Sequence, residues 1–203
     1  MIHSAMSVCA PSVQRICDLD VVWRVEFSGE ISMDMKVKKD GEFPELPRFG
    51  LRFFLREDME DVIYYGIGPW ESYVDKRRAG YHSRFSAKVE ELHEDYIRPQ
   101  ENGSHADCDY VTLAGENQSF TVVSAKEFSF QASPYLQEEL AEKRHNFELE
   151  RAGCTVLCVD YRQNGLASCS CGPDVSREYR FDQEEFHFGL KLIPTLEKRR
   201  MIG

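Results

Sequence analysis

The residues best placed to do chemistry are acidic side chains held in turn-forming sequence. Glu71 and Asp75 flank Tyr73 in a Gly-Pro loop, and Glu101 precedes Asn102 and Gly103 shortly after Pro99. Two carboxyl groups facing one bond would suit glycoside hydrolysis, at roughly 5 Å apart for retention of configuration and farther apart for inversion. Spacing alone brings no two of them to a common bond. The favoured reading is therefore structural: Asp and Glu in such settings accept backbone N–H bonds and fix loops. Glu90, Glu91, Glu94 and Asp95 read as a solvated face.

Sulfur and imidazole offer a second kind of chemistry. Cys169 and Cys171 form a C-x-C, His105 and Cys108 an H-x-x-C, and Cys154 and Cys158 stand four apart on an expected strand. These fragments fall short of paired knuckles with zinc spacing, so idle or buried thiols are the favoured reading and no metal site is assigned. A nucleophilic Cys171 with His82, His93 or His187 as base has no local support in the sequence. Trp23 and Tyr110 sit in strand patterns and read as core. Trp70 follows Gly68-Pro69 in a loop, where an aromatic either packs over a sheet end or meets a sugar face; packing is favoured.

Most of the chain reads as the strands that must position these groups. Ile31, Met33, Met35 and Val37 alternate with polar residues, as do Phe186, Phe188, Leu190 and Leu192. Further candidates are Val21 to Phe27, Phe49 to Leu55, Asp61 to Tyr65, Tyr110 to Leu113, Phe120 to Val123, Phe128 to Gln131 and Thr155 to Tyr161. Ser28-Gly29 and Asp40-Gly41 read as hairpin turns. One segment reads as a three-turn helix, capped by Ser133, with Pro134 at its first position and Tyr135, Leu136 and Leu140 as its apolar stripe. Residues 1–15 carry no clear period.

A length of 203 residues, 42% of them hydrophobic, supports a single domain over residues 1–203. The net charge of −10 argues against nucleic acid or an anionic membrane as partner. No apolar stretch reaches the roughly 20 residues of a membrane helix, and the first residues resemble no signal peptide, so a cytoplasmic protein is expected. Seven scattered cysteines suggest free thiols rather than a disulfide scaffold.

Three segments together carry a family resemblance: Gly66 to Arg77 (GIGPWESYVDKR), Tyr96 to Gly103 (YIRPQENG) and Ser168 to Phe181 (SCSCGPDVSREYRF). In this order and spacing they resemble the C-terminal, small-chain domain of glycoside hydrolase family 2 β-galactosidases. Gly66, Gly68, Pro69, Glu71, Tyr73 and Asp75 meet one family pattern, while Pro99, Glu101, Asn102 and Gly103 meet the next. The resemblance implies an all-β fold, a large antiparallel β-sandwich of the galactose mutarotase-like kind, here short of its first strands, with one short helix. Such a gap would leave a sheet edge open to self-association, or covered by residues 1–15 folding back.

The resemblance also implies a division of labour. In the family the nucleophile, the acid/base glutamate and the divalent and sodium ions belong to a separate barrel, so no catalytic residue or cofactor is expected in this chain. Its partner would be the remainder of the enzyme or a large subunit, and its substrate a galactoside reached through the Ser168 to Pro173 loop. Ser170 and Cys171 are the residues expected at the sugar, Cys171 standing where well-known members place a Trp. Alone, the chain should be inactive. The rival readings are a mutarotase-like sugar protein using His82 and Glu101 as acid and base, and a purely structural module.

Overall fold

The computed structural model describes residues 1–11, 14–166 and 174–196. Among the described residues ten strands run in chain order: β1 (Ile2–Cys9), β2 (Arg15–Val25), β3 (Ile31–Lys39), β4 (Arg48–Leu55), β5 (Asp61–Gly68), β6 (Tyr81–Lys88), β7 (Ser104–Ala114), β8 (Gln118–Ser133), β9 (Thr155–Gln163) and β10 (Glu185–Leu196). All neighbours are antiparallel, in the order β1-β2-β3-β10-β8-β7-β5-β6, with β4 and β9 branching from β8.

The branch point explains the architecture. Residues 118–123 of β8 bond to β10, and residues 129–133 of the same strand bond to β9. One edge of β8 therefore feeds two limbs. Rings on the β4–β9 limb pack back onto the other: Phe49 lies 5.0 Å from Phe186, Tyr161 lies 4.6 Å from Phe186, and Phe53 lies 5.3 Å from Phe120. The fold is an antiparallel β-sandwich made from one continuous sheet. Its core draws on the alternating residues expected from the sequence, since Met33, Met35 and Val37 face Leu190, Phe188 and Phe186 in register.

Several local expectations need correction. The helix, α1, spans only Gln137–Glu142. Ser133 is claimed by β8, where it pairs with Val156, and its hydroxyl accepts the Tyr135 N–H (3.1 Å) in a turn instead of capping a helix. Asp40-Gly41 makes a turn but no hairpin, because β4 crosses to β9 rather than returning along β3. Ser28-Gly29 does join the paired strands β2 and β3, with Gly29 at φ 89°. Tyr110 is not core: it lies half-buried on the outer face beside Tyr65, while its neighbour Val111 points in.

Two strands escaped the sequence reading. β1 is exposed along its length and is held by the edge of β2, with His3 bonded to Asp20 (2.5 Å) and Ser7 to Asp18 (2.6 Å). β6 edges the opposite end and is only half covered. Edge strands lack the strong apolar alternation that burial on one face imposes.

Candidate functional site

The two motif loops meet at one end of the sandwich. The first, between β5 and β6, is anchored through Ser72, whose N–H donates to the Ser104 carbonyl (2.6 Å) and whose hydroxyl accepts the Ala106 N–H (2.8 Å). Tyr73 and Lys76 exchange backbone bonds of 2.9 and 3.0 Å, closing a tight turn that buries the Tyr73 ring. Glu71, only 5% exposed, accepts from Lys76 Nζ, from the Tyr96 hydroxyl and from the Gly103 N–H (2.8 Å). Burial alone would raise its pKa, but these donors outweigh it and hold the carboxyl below its ordinary range.

The second loop is knitted as tightly. Asn102 Oδ1 accepts the Glu94 N–H (3.0 Å), its amide donates to the Gln100 carbonyl (2.9 Å), and its own carbonyl accepts from Gln131 (2.5 Å). Gly103 follows at φ 69°, the left-handed region that a side chain strains, and an added Cβ would lie 2.4 Å from the Leu92 carbonyl oxygen.

Glu101 joins a partly buried charge cluster in which only Asp160 is fully enclosed. Arg48 donates to Glu101 Oε2 (2.9 Å) and, in a fork, to both oxygens of Asp160 (3.2 and 2.5 Å), while Gln163 donates to Asp160 (2.9 Å). Two carboxylates thus share one guanidinium. Burial pushes the Glu101 carboxyl up to about 7 against the pull of Arg48, and the neighbouring Asp160 adds to the rise. Burial raises Asp160 also, again opposed by Arg48.

Asp75 ties the motif loop to another part of the chain, accepting the Leu166 N–H at 3.1 Å. Leu166 immediately precedes residues 167–173. Ser170, Cys171 and the C-x-C pair with Cys169 lie outside the described residues. Tyr73, Ser104, Asp107, Phe128, Arg162 and Gln163 line part of a cavity of about 170 Å³.

Every motif carboxylate is therefore bound to a cation or a backbone N–H, the loop-fixing role favoured from sequence. His82 and Glu101 occupy separate networks: His82 contacts the Asp107 carbonyl (2.9 Å) and the Tyr65 ring (4.6 Å). His105 is a core residue between Tyr64 and Phe130, its pKa lowered to about 4 by burial. Cys108 donates to the His105 carbonyl (3.4 Å), and among the described residues no cluster of three His, Cys, Asp or Glu could hold a metal. No described helix is long and apolar enough to cross a membrane.

Sequence reasoning missed Arg48, Lys76 and Tyr96 as partners of the motif acids. Asp160 was available as a signal, since it is a lone charge ending the apolar run from Val156 to Val159.

The model of the beta galactosidase small chain family matches residues 2–192. The chain belongs to that family. It is 41% identical over 179 residues to a β-galactosidase of Actinobacillus pleuropneumoniae, covering 88% of this chain and 17% of that relative. A Staphylococcus xylosus β-galactosidase is 38% identical over 175 residues, covering 85% and 18%, and one from Kluyveromyces lactis is 32% identical over 169 residues, covering 82% and 16%. The chain thus spans less than a fifth of the length of these relatives.

Proposed function

We propose that this chain is a non-catalytic part of a retaining β-galactosidase, completing its galactose pocket and its domain packing. The observation that carries the reading is the small-chain match over residues 2–192, joined to relatives named β-galactosidase of which it spans under a fifth. The side chains agree with it: Glu71 is held by Lys76, and Glu101 and Asp160 are both held by Arg48. The acid, the nucleophile and any metal would come from the remainder of the enzyme, as a longer chain or a large subunit in the cytoplasm. The open edge of β1, with Ile2, Met6 and Val8 exposed, also favours self-association.

Within this reading Asp75 steadies the root of the loop that carries Ser170 and Cys171 to the sugar. A thiol at that place supplies shape more than stacking, weakening the galactosyl contact by about 0.5 to 1.5 kcal/mol relative to an aromatic. The purified chain should not hydrolyse a chromogenic galactoside. Turnover that persists through purification and vanishes on Glu71→Gln or Glu101→Gln would defeat the reading. In the assembled enzyme, a bulky adduct at Cys171 should raise KM and be slowed by galactose. An adduct without effect on KM, kcat or galactose inhibition removes the loop from the substrate site.

A further inference from the structure

Three large apolar side chains stand in solvent, two on loops and one on a short 3-10 helix (Asn146–Glu148): Trp70 is 62% exposed, Ile97 98% and Phe147 86%. Such groups on mobile segments would mean little, but these segments are tied to one another through Tyr96. The Tyr96 hydroxyl bonds to Glu71, next to Trp70, and its carbonyl accepts from Asn146 Nδ2 (2.8 Å), next to Phe147. Ile97 follows Tyr96 directly. Lys76, which also holds Glu71, sits 5.5 Å from the Tyr96 ring, and His145 stacks on Phe147 at 5.1 Å. The fastening is internal and the apolar faces are left outward. Preorganised aromatic side chains of this kind lose little conformational entropy on docking and are typical anchors of protein interfaces.

We propose that Trp70, Ile97 and Phe147 are the anchors by which this chain docks onto an apolar protein surface in the rest of a β-galactosidase. The inference rests on the reading above and names its contact surface. What selects this occupant is the missing length: the chain spans 17% of one relative and 18% of another, leaving most of the protein to cover what is exposed here. Sugar alone would not use Ile97, which offers neither a flat ring nor a hydrogen bond.

Oxidative footprinting of side chains tests this, comparing the chain alone with the chain joined to the remainder of the Actinobacillus pleuropneumoniae enzyme in place of that relative's own small-chain region. Labelling of Trp70 and Phe147 should fall about tenfold in the joined protein, while Phe54, exposed on β4, is labelled as before. The triple variant Trp70→Ser, Ile97→Ser, Phe147→Ser, which removes no internal hydrogen bond, should lose galactosidase activity or its thermal stability. An active joined enzyme in which Trp70 and Phe147 label as in the free chain, and in which the triple variant matches wild type, would overturn the surface and leave the docking reading standing. A joined protein without activity and without protection anywhere on the chain would overturn both. Protection that instead appears in the free chain as its concentration rises would assign the surface to a second copy and overturn this proposal.

Discussion

Replacing Glu101 by Gln should change stability in a way that depends on pH. The carboxyl is moved from an ordinary 4.5 to about 7 in the folded chain, chiefly by burial and opposed by Arg48. A raised acid favours the folded state in its protonated form. Its contribution is therefore complete below the ordinary carboxylate range and is lost as pH rises through about 7. At about 1.4 kcal/mol per pH unit the interval converts to roughly 3 kcal/mol. The side chain is 29% exposed, so solvent screening reduces the expected effect to about 1–2 kcal/mol. Gln removes the titration, keeps an oxygen for Arg48, and leaves that guanidinium paired with Asp160 alone. The variant should gain about 1–2 kcal/mol over wild type between pH 5 and pH 8. With a urea m of about 3 kcal/mol/M, the unfolding midpoint should move up by about half a molar across that range. His105 titrates oppositely: burial lowers it to about 4, so its contribution is lost as pH falls below the ordinary histidine range. Both proteins share that term and it cancels in the difference. Parallel midpoint-against-pH curves for wild type and Glu101→Gln would refute the shared-guanidinium argument.

Arg48→Met should destabilise by about 3–5 kcal/mol, because it strands Asp160, 3% exposed, without its cation; Arg52→Met, which breaks an exposed pair with Glu138, should cost under about 1 kcal/mol in the same urea titration. Gly103→Ala combines a left-handed φ with a 2.4 Å clash and should cost roughly 2–4 kcal/mol by thermal unfolding. Gly29→Ala meets no atom within 4 Å and should cost only about 1–2 kcal/mol. Equal losses at the two glycines would show that the Leu92 carbonyl moves aside freely.

Much of the candidate site was legible because its residues are local to one another. Gly-Pro, Asn-Gly and interleaved acids announce loops fixed by side-chain acceptors, and Glu71 and Asn102 do that work. Their partners were not legible. Arg48 lies 112 residues from Asp160 and 53 from Glu101, and nothing in the local pattern of any of the three carries that distance.

The sequence by itself determined which face each central strand turns inward. Alternation at Ile31 to Val37 and at Phe186 to Leu192 follows from the two-residue repeat of a pleated strand. Only the tertiary structure decided which strands are neighbours. It made Phe120 to Val123 and Phe128 to Gln131 one strand across the intervening Ser124 to Glu127, because β7 pairs along both halves while β10 and β9 divide the opposite edge. It likewise gave the irregular first residues a place on β2 and took Ser133 into β8. A period encodes a face. Pairing, and with it the meeting of Arg48, Glu101 and Asp160, is set by backbone bonds and packing between residues distant in the chain.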